Sequence, residues 1–78
     1  MPSRVILYGR AGCHLCDDAR AVVAAVCAEA GEGFDEVDID SDPALRARYG
    51  DEIPVVTVDD ATVGFWRIDP GRLRGALS

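Results

Sequence analysis

The chain has 78 residues, enough for a single domain spanning 1–78 with a modest core. Hydrophobic residues make up 49% and charged residues 28%, which is too apolar for a disordered tail. The longest apolar run, Ala21 to Ala28, falls far short of the roughly 20 residues of a spanning helix. A net charge of -6, with arginine as the only strongly basic residue and no basic cluster, argues against nucleic-acid or anionic-membrane partners.

In chain order, Arg4 to Tyr8 reads as a buried strand ended by Gly9. The residues before it, Met1-Pro2-Ser3, carry no apolar signal segment, so a cytoplasmic location is expected. Gly9 to Gly12 is a loop. The strongest helix signal follows: at about 100° per residue, Leu15, Ala19, Val22, Val23, Val26, Cys27 and Ala30 share one face. Gly31 serves as its C-terminal cap. Asp17 and Asp18 sit in the first turn, where the helix dipole favours negative charge. Phe34 to Ile39 alternates apolar and acidic residues as a second strand. Ser41 or Asp42 then caps a short helix with Pro43 at its start, Leu45 and Tyr49 on one face and Gly50 at its end. Pro54 to Val58 is a third strand, Asp59 to Ala61 a turn and Thr62 to Trp66 a fourth strand. Asp69 and Pro70 open a last helix carrying Leu73, Ala76 and Leu77, weakened by Gly71 and Gly75. The expected product is an α/β fold: a four-stranded mixed sheet flanked by three helices. Its first two strands are parallel across a right-handed crossover, and the closing hairpin is antiparallel.

Cys13-His14-Leu15-Cys16 falls where the glycine loop enters the first helix. A helix N-terminus presents unpaired N–H groups and partial positive charge, which stabilise a thiolate at Cys13. Cys16, almost one turn on, can reach back and attack a mixed disulfide formed there, which is the chemistry of thiol–disulfide exchange. His14 either supports the thiolate when protonated or is an exposed turn residue. Leu15 packs or forms a rim contact. The chain has three cysteines, two of them separated by two residues, a spacing that in a reducing compartment suggests redox or metal chemistry rather than a disulfide framework. A structural zinc site needs four ligands, and Cys27 lies about 16 Å along the helix from Cys16, so no metal site is expected within one chain. A metal or iron–sulfur cluster shared between two chains stays open as an alternative. So does a partner-binding scaffold without catalysis. Cys27 reads as a small buried hydrophobe.

The stretch Tyr8-Gly9-Arg10-Ala11-Gly12-Cys13-His14-Leu15-Cys16, together with Ile53-Pro54-Val55-Val56, resembles the glutaredoxin-like branch of the thioredoxin superfamily. The similarity spans nearly the whole chain and is nearest to short bacterial glutaredoxin-like proteins. The resemblance implies a thioredoxin-like fold, with Cys13 as nucleophile and Cys16 as resolving thiol. It also implies a cis peptide at Pro54, with the Ile53 backbone pairing an extended substrate. Arg10 matches a position that holds a glutathione carboxylate. Gly64 matches one of the family's paired glycines after the fourth strand, but Phe65 and Trp66 replace the other, which leaves glutathione binding open. Phe65 and Trp66 are expected to pack in the core, with an aromatic wall beside the site as the alternative. The substrate implied is a protein or low-molecular-weight disulfide, with a reductase or thiol reductant as electron source. Glutathione or a similar thiol is at most a co-substrate, no resident cofactor is expected, and the protein is expected to be a monomer.

Overall fold

The computed structural model describes residues 3–78. Its elements are β1 (Val5–Gly9), α1 (His14–Ala30), β2 (Phe34–Asp38), a 3-10 turn (Ile39–Ser41), α2 (Pro43–Tyr49), β3 (Val55–Val58), β4 (Ala61–Phe65) and α3 (Pro70–Leu77). The four strands form one mixed sheet in the order β2-β1-β3-β4, with β1 parallel to β2 and the β3–β4 hairpin antiparallel. This is the α/β arrangement of a thioredoxin-like fold.

Because β1 is internal, its alternate side chains serve two different cores. Val5 and Leu7 join Val56 and Val58 of β3 beneath α1 and α3, where Ala19, Val23, Val26, Cys27, Ile68 and Leu73 complete the larger cluster. Tyr8 turns the other way and joins a smaller cluster of Ile39, Tyr49 and Val55 under α2. There Tyr8 stacks on Tyr49 with ring centroids 4.6 Å apart, and the Arg48 guanidinium lies over the Tyr49 ring. Each fully buried aliphatic side chain in the larger core contributes about 1.5–3 kcal/mol. That contribution is what holds the glycine-containing α3, which places Leu73 wholly out of solvent.

Local chemistry explains the element ends. Gly31 takes the left-handed conformation at φ 70° and closes α1. Asp42, not Ser41, caps α2 through a 2.9 Å bond from the Ala44 N–H to its carboxylate. The Ser41 hydroxyl instead donates to the Asp38 carbonyl. Strand β2 stops at Asp38, one residue earlier than the alternation suggests. The Asp38 carboxylate accepts the Asp40 N–H, which starts the 3-10 turn and folds Ile39 into the smaller core. The β3–β4 turn is Asp59-Asp60, both with positive φ, so Ala61 belongs to β4 and pairs with Val58. At the other end of β4, Trp66 has φ 61° and lies outside the strand.

Two burial expectations are corrected. Ala30 is exposed, and Cys16 takes a place in the interior instead, with 1% of its surface accessible. Phe65 and Trp66 are not core residues: they are 46% and 54% exposed. A bulge at Val56/Thr57 interrupts the hairpin register, and the left-handed Trp66 lines a surface cleft with Leu15, Ala19 and Val22 of α1 instead of entering the core.

Candidate functional site

Strand β1 ends at Gly9, and a short loop with Gly12 at φ 78° leads into α1. Cys13 is the N-cap of that helix. Its Sγ accepts the Cys16 backbone N–H at 3.2 Å, replacing the hydroxyl or carboxylate oxygen usual at this position. The Asp17 N–H reaches the Cys13 carbonyl at 3.2 Å. The sulfur of Cys13 therefore sits against the helix N-terminus, the end whose partial positive charge favours an anion. Cys13 is partly exposed, whereas Cys16 is buried.

Cys16 has a closely confined sulfur. Burial pushes its thiol up to about 11, and its hydrogen bond to the Cys13 side chain acts in the same direction. The backbone N–H of Arg10 partly offsets both, and the charge of Arg20 adds a smaller offset. Gly9 leaves room for this sulfur: a Cβ there would lie 3.0 Å from Cys16 Sγ and 3.4 Å from its Cβ. Sequence reasoning missed Gly9 as part of the site. It read the residue as a strand terminator, because nothing local signals a contact seven positions away. The pair is thus asymmetric. One sulfur faces solvent at a helix N-terminus, and the other is buried and protonated at neutral pH.

The remaining candidates are placed as follows. Arg10 is exposed and forks onto the Asp40 carboxylate at 2.9 and 3.0 Å, holding that carboxyl below its usual range. His14 is exposed at the first position of α1. Asp17 pairs with Arg20, which also grips Glu36 of β2 with two bonds of 2.7 Å and so ties the first turns of α1 to the sheet edge. The Ile53–Pro54 peptide is cis. Pro54 is buried, and Ile53 packs on the smaller core. Among the described residues the N–H and C=O of Ile53 have no hydrogen-bonding partner in the protein. Gly64 pairs with Val56, and a side chain there would touch Ile68. Phe65 and Trp66 meet edge to face with centroids 5.1 Å apart. The Trp66 N–H donates to the Pro54 carbonyl at 2.8 Å and its indole N–H to the Asp51 carbonyl at 3.0 Å, so this wall is fastened to the cis-proline segment.

Cys27, the third cysteine, is 2% exposed in the larger core, and burial raises its thiol too. Among the described residues no group of three or more His, Cys, Asp or Glu side chains is placed to hold a metal ion. Among the same residues no helix is long and apolar enough to cross a membrane.

Residues 4–78 match the family described as Glutaredoxin-like domain (DUF836). An uncharacterised protein of Mycobacterium tuberculosis is 34% identical over 80 residues, covering 96% of this chain and 82% of that protein. Among solved structures, a structural-genomics target from X. campestris shares 38% identity with a TM-score of 0.76, covering 94% of this chain and 93% of its own. A protein of Nitrosomonas europaea, solved by solution NMR, superposes with a TM-score of 0.83 at 28% identity, covering 100% of this chain and 94% of its own.

Proposed function

This chain belongs to the glutaredoxin-like domain family, and on that footing we propose that it is a thiol–disulfide oxidoreductase working through Cys13 and Cys16. The observation that carries the reading is the Cys13 sulfur at the N-cap of α1, bonded by the Cys16 N–H and backed by the buried Cys16 thiol. On this reading the two sulfurs take different tasks. The Cys13 thiolate attacks one sulfur of a substrate disulfide, and the other sulfur leaves as a thiolate with the bonding pair. Cys16 then gives up its proton and attacks the Cys13 sulfur of the mixed disulfide. The Cys13–Cys16 bond closes and the second substrate thiolate departs. The substrate gains two electrons and the enzyme loses two, which a thiol reductant or a reductase returns.

The substrate class is a protein or low-molecular-weight disulfide, met in the cytoplasm by a monomer. Ile53, beside Pro54, offers an N–H and a C=O that an extended substrate backbone can pair in the manner of an added strand. Arg10 and Gly64 complete the substrate-binding set on this reading, with Arg10 able to exchange its Asp40 partner for a substrate carboxylate. Glutathione is a candidate co-substrate through those groups.

The test is a trapping experiment. Cys16→Ser incubated with oxidised protein disulfides should accumulate mixed disulfides that dithiothreitol releases, and Cys13→Ser should accumulate none. Equal absence of adducts from both variants, with no turnover by the natural protein, contradicts the reading.

A further inference from the structure

Core packing does not account for the wall formed by Phe65 and Trp66. Both rings are about half exposed, and they are the large hydrophobic side chains standing out of the surface among the described residues. With Leu15 and Arg67 they line a hollow of about 410 Å³. Leu15 is one of the two residues between the cysteines and directly precedes Cys16, so the hollow adjoins the redox pair. Trp66 is fastened to the Pro54 carbonyl, so it also adjoins the cis-proline segment.

The charges around the wall are those of Arg67 and Arg72 and of Asp18 and Asp69. Arg4, Arg10, Arg20 and Arg74 are each held in ion pairs. Arg67, which lines the hollow, and Arg72, which borders the wall beyond it, make none among the described residues. The nearby carboxylates are Asp69 and Asp18. Asp69 is occupied as the cap of α3, and Asp18 lies in an adjoining cleft with Leu15, Trp66 and Arg67. In a chain where 14 acidic residues face 8 arginines, unpaired arginines beside an aromatic surface are complementary to an acidic, apolar partner.

We propose that the Leu15–Phe65–Trp66–Arg67 hollow docks an extended segment of a protein disulfide, taking a large apolar side chain next to the substrate cysteine and pairing Arg67 with a carboxylate just beyond it. The proposal rests on the thiol–disulfide exchange reading and names its substrate. Glutathione has no large apolar side chain to cover the two rings, whereas a peptide does.

The experiment uses mixed disulfides of thionitrobenzoate with short peptides, whose coloured leaving group reports attack by Cys13. Three peptides carry a central cysteine flanked on both sides by leucine then glutamate, by glycine then glutamate, or by leucine then lysine. The glutathione mixed disulfide is the fourth probe. The natural protein should react with the leucine–glutamate peptide roughly tenfold faster than with the glycine–glutamate or glutathione probes, and about threefold faster than with the leucine–lysine peptide. Phe65→Ala should shrink the leucine preference, and Arg67→Glu should reverse the preference for glutamate over lysine. Each preference is a ratio within one variant, so a general loss of activity does not mimic it. Ratios near one in the natural protein, ratios unmoved by both variants, or glutathione reacting as fast as the best peptide overturn the docking proposal while leaving the exchange reading in place. Inertness towards all four probes overturns both.

Discussion

The two ends of α1 each bury a cysteine, and they put it to different use. Cys27 lies near the C-terminal end among Val23, Val26 and Leu73, with burial first and the charge of Glu32 second acting to keep it protonated. Cys16 lies in the first turn and is as deeply buried, but its sulfur meets another sulfur, a backbone N–H and the gap left by Gly9. Burial by itself therefore yields a packing residue. What makes the first turn a candidate redox site is a second thiol at the helix N-cap, partly open to solvent, with an aromatic wall beyond it. The same fold supplies both settings because β1 ends at the first turn of α1, while α3 covers the last.

The sharpest way to break this contrast is Gly9→Ala. The φ of Gly9 is not positive, so the backbone tolerates alanine, but the new methyl stands 3.0 Å from Cys16 Sγ. Displacing that sulfur should slow the second step, closure of Cys13–Cys16 with release of substrate thiol, about tenfold more than the first step. The accompanying stability cost should be about 1–3 kcal/mol. Single-turnover kinetics with quenched intermediates separate the two steps. Equal slowing of both, or none, would show that Gly9 does not position Cys16.

A smaller effect sharpens the comparison through pH. The folded protein holds Cys16 and Cys27 above the ordinary thiol value of 9.0, so the folded state keeps protons that the unfolded chain releases. Stability from these raised groups is present below pH 9.0 and is lost as pH rises through the folded value, about 11 for Cys16. Denaturant titrations of the reduced protein from pH 8 towards pH 11 should show that decline. Oxidation removes the Cys16 share and leaves only that of Cys27, so the oxidised protein should decline less. Parallel curves for the two forms would contradict the difference assigned to the two thiols.

Much of this was legible in the amino-acid order. The apolar spacing from Ala19 to Cys27, the glycine at position 31 and the Cys-x-x-Cys at a helix start are local signals, and each occupies its expected place. The ends of the strands were harder. Whether Asp38 continues a strand or caps the next turn depends on its carboxylate finding the Asp40 N–H, a choice that alternation does not record. Both aspartates of the β3–β4 turn take positive φ, which their short polar side chains tolerate, and this shifted the expected strand by one residue. Trp66 has no such propensity. Its left-handed backbone is held by bonds to Pro54 and Asp51 from another part of the chain, so the sequence favoured core packing and offered the exposed wall only as the alternative. Gly9 escaped notice for the same reason, because its contact with Cys16 forms only when helix and strand are assembled.

The most direct test is thiol mapping of the mildly oxidised protein. Cleavage after Arg10 and Arg20 isolates residues 11–20, which hold Cys13 and Cys16, while Cys27 falls in the next fragment. The account predicts that the 11–20 fragment is two hydrogen masses lighter than its reduced form and resists alkylation. Cys27 should remain a free thiol that is labelled only after unfolding. A disulfide involving Cys27, a disulfide-linked dimer, or two free thiols in the 11–20 fragment under oxidant would contradict it.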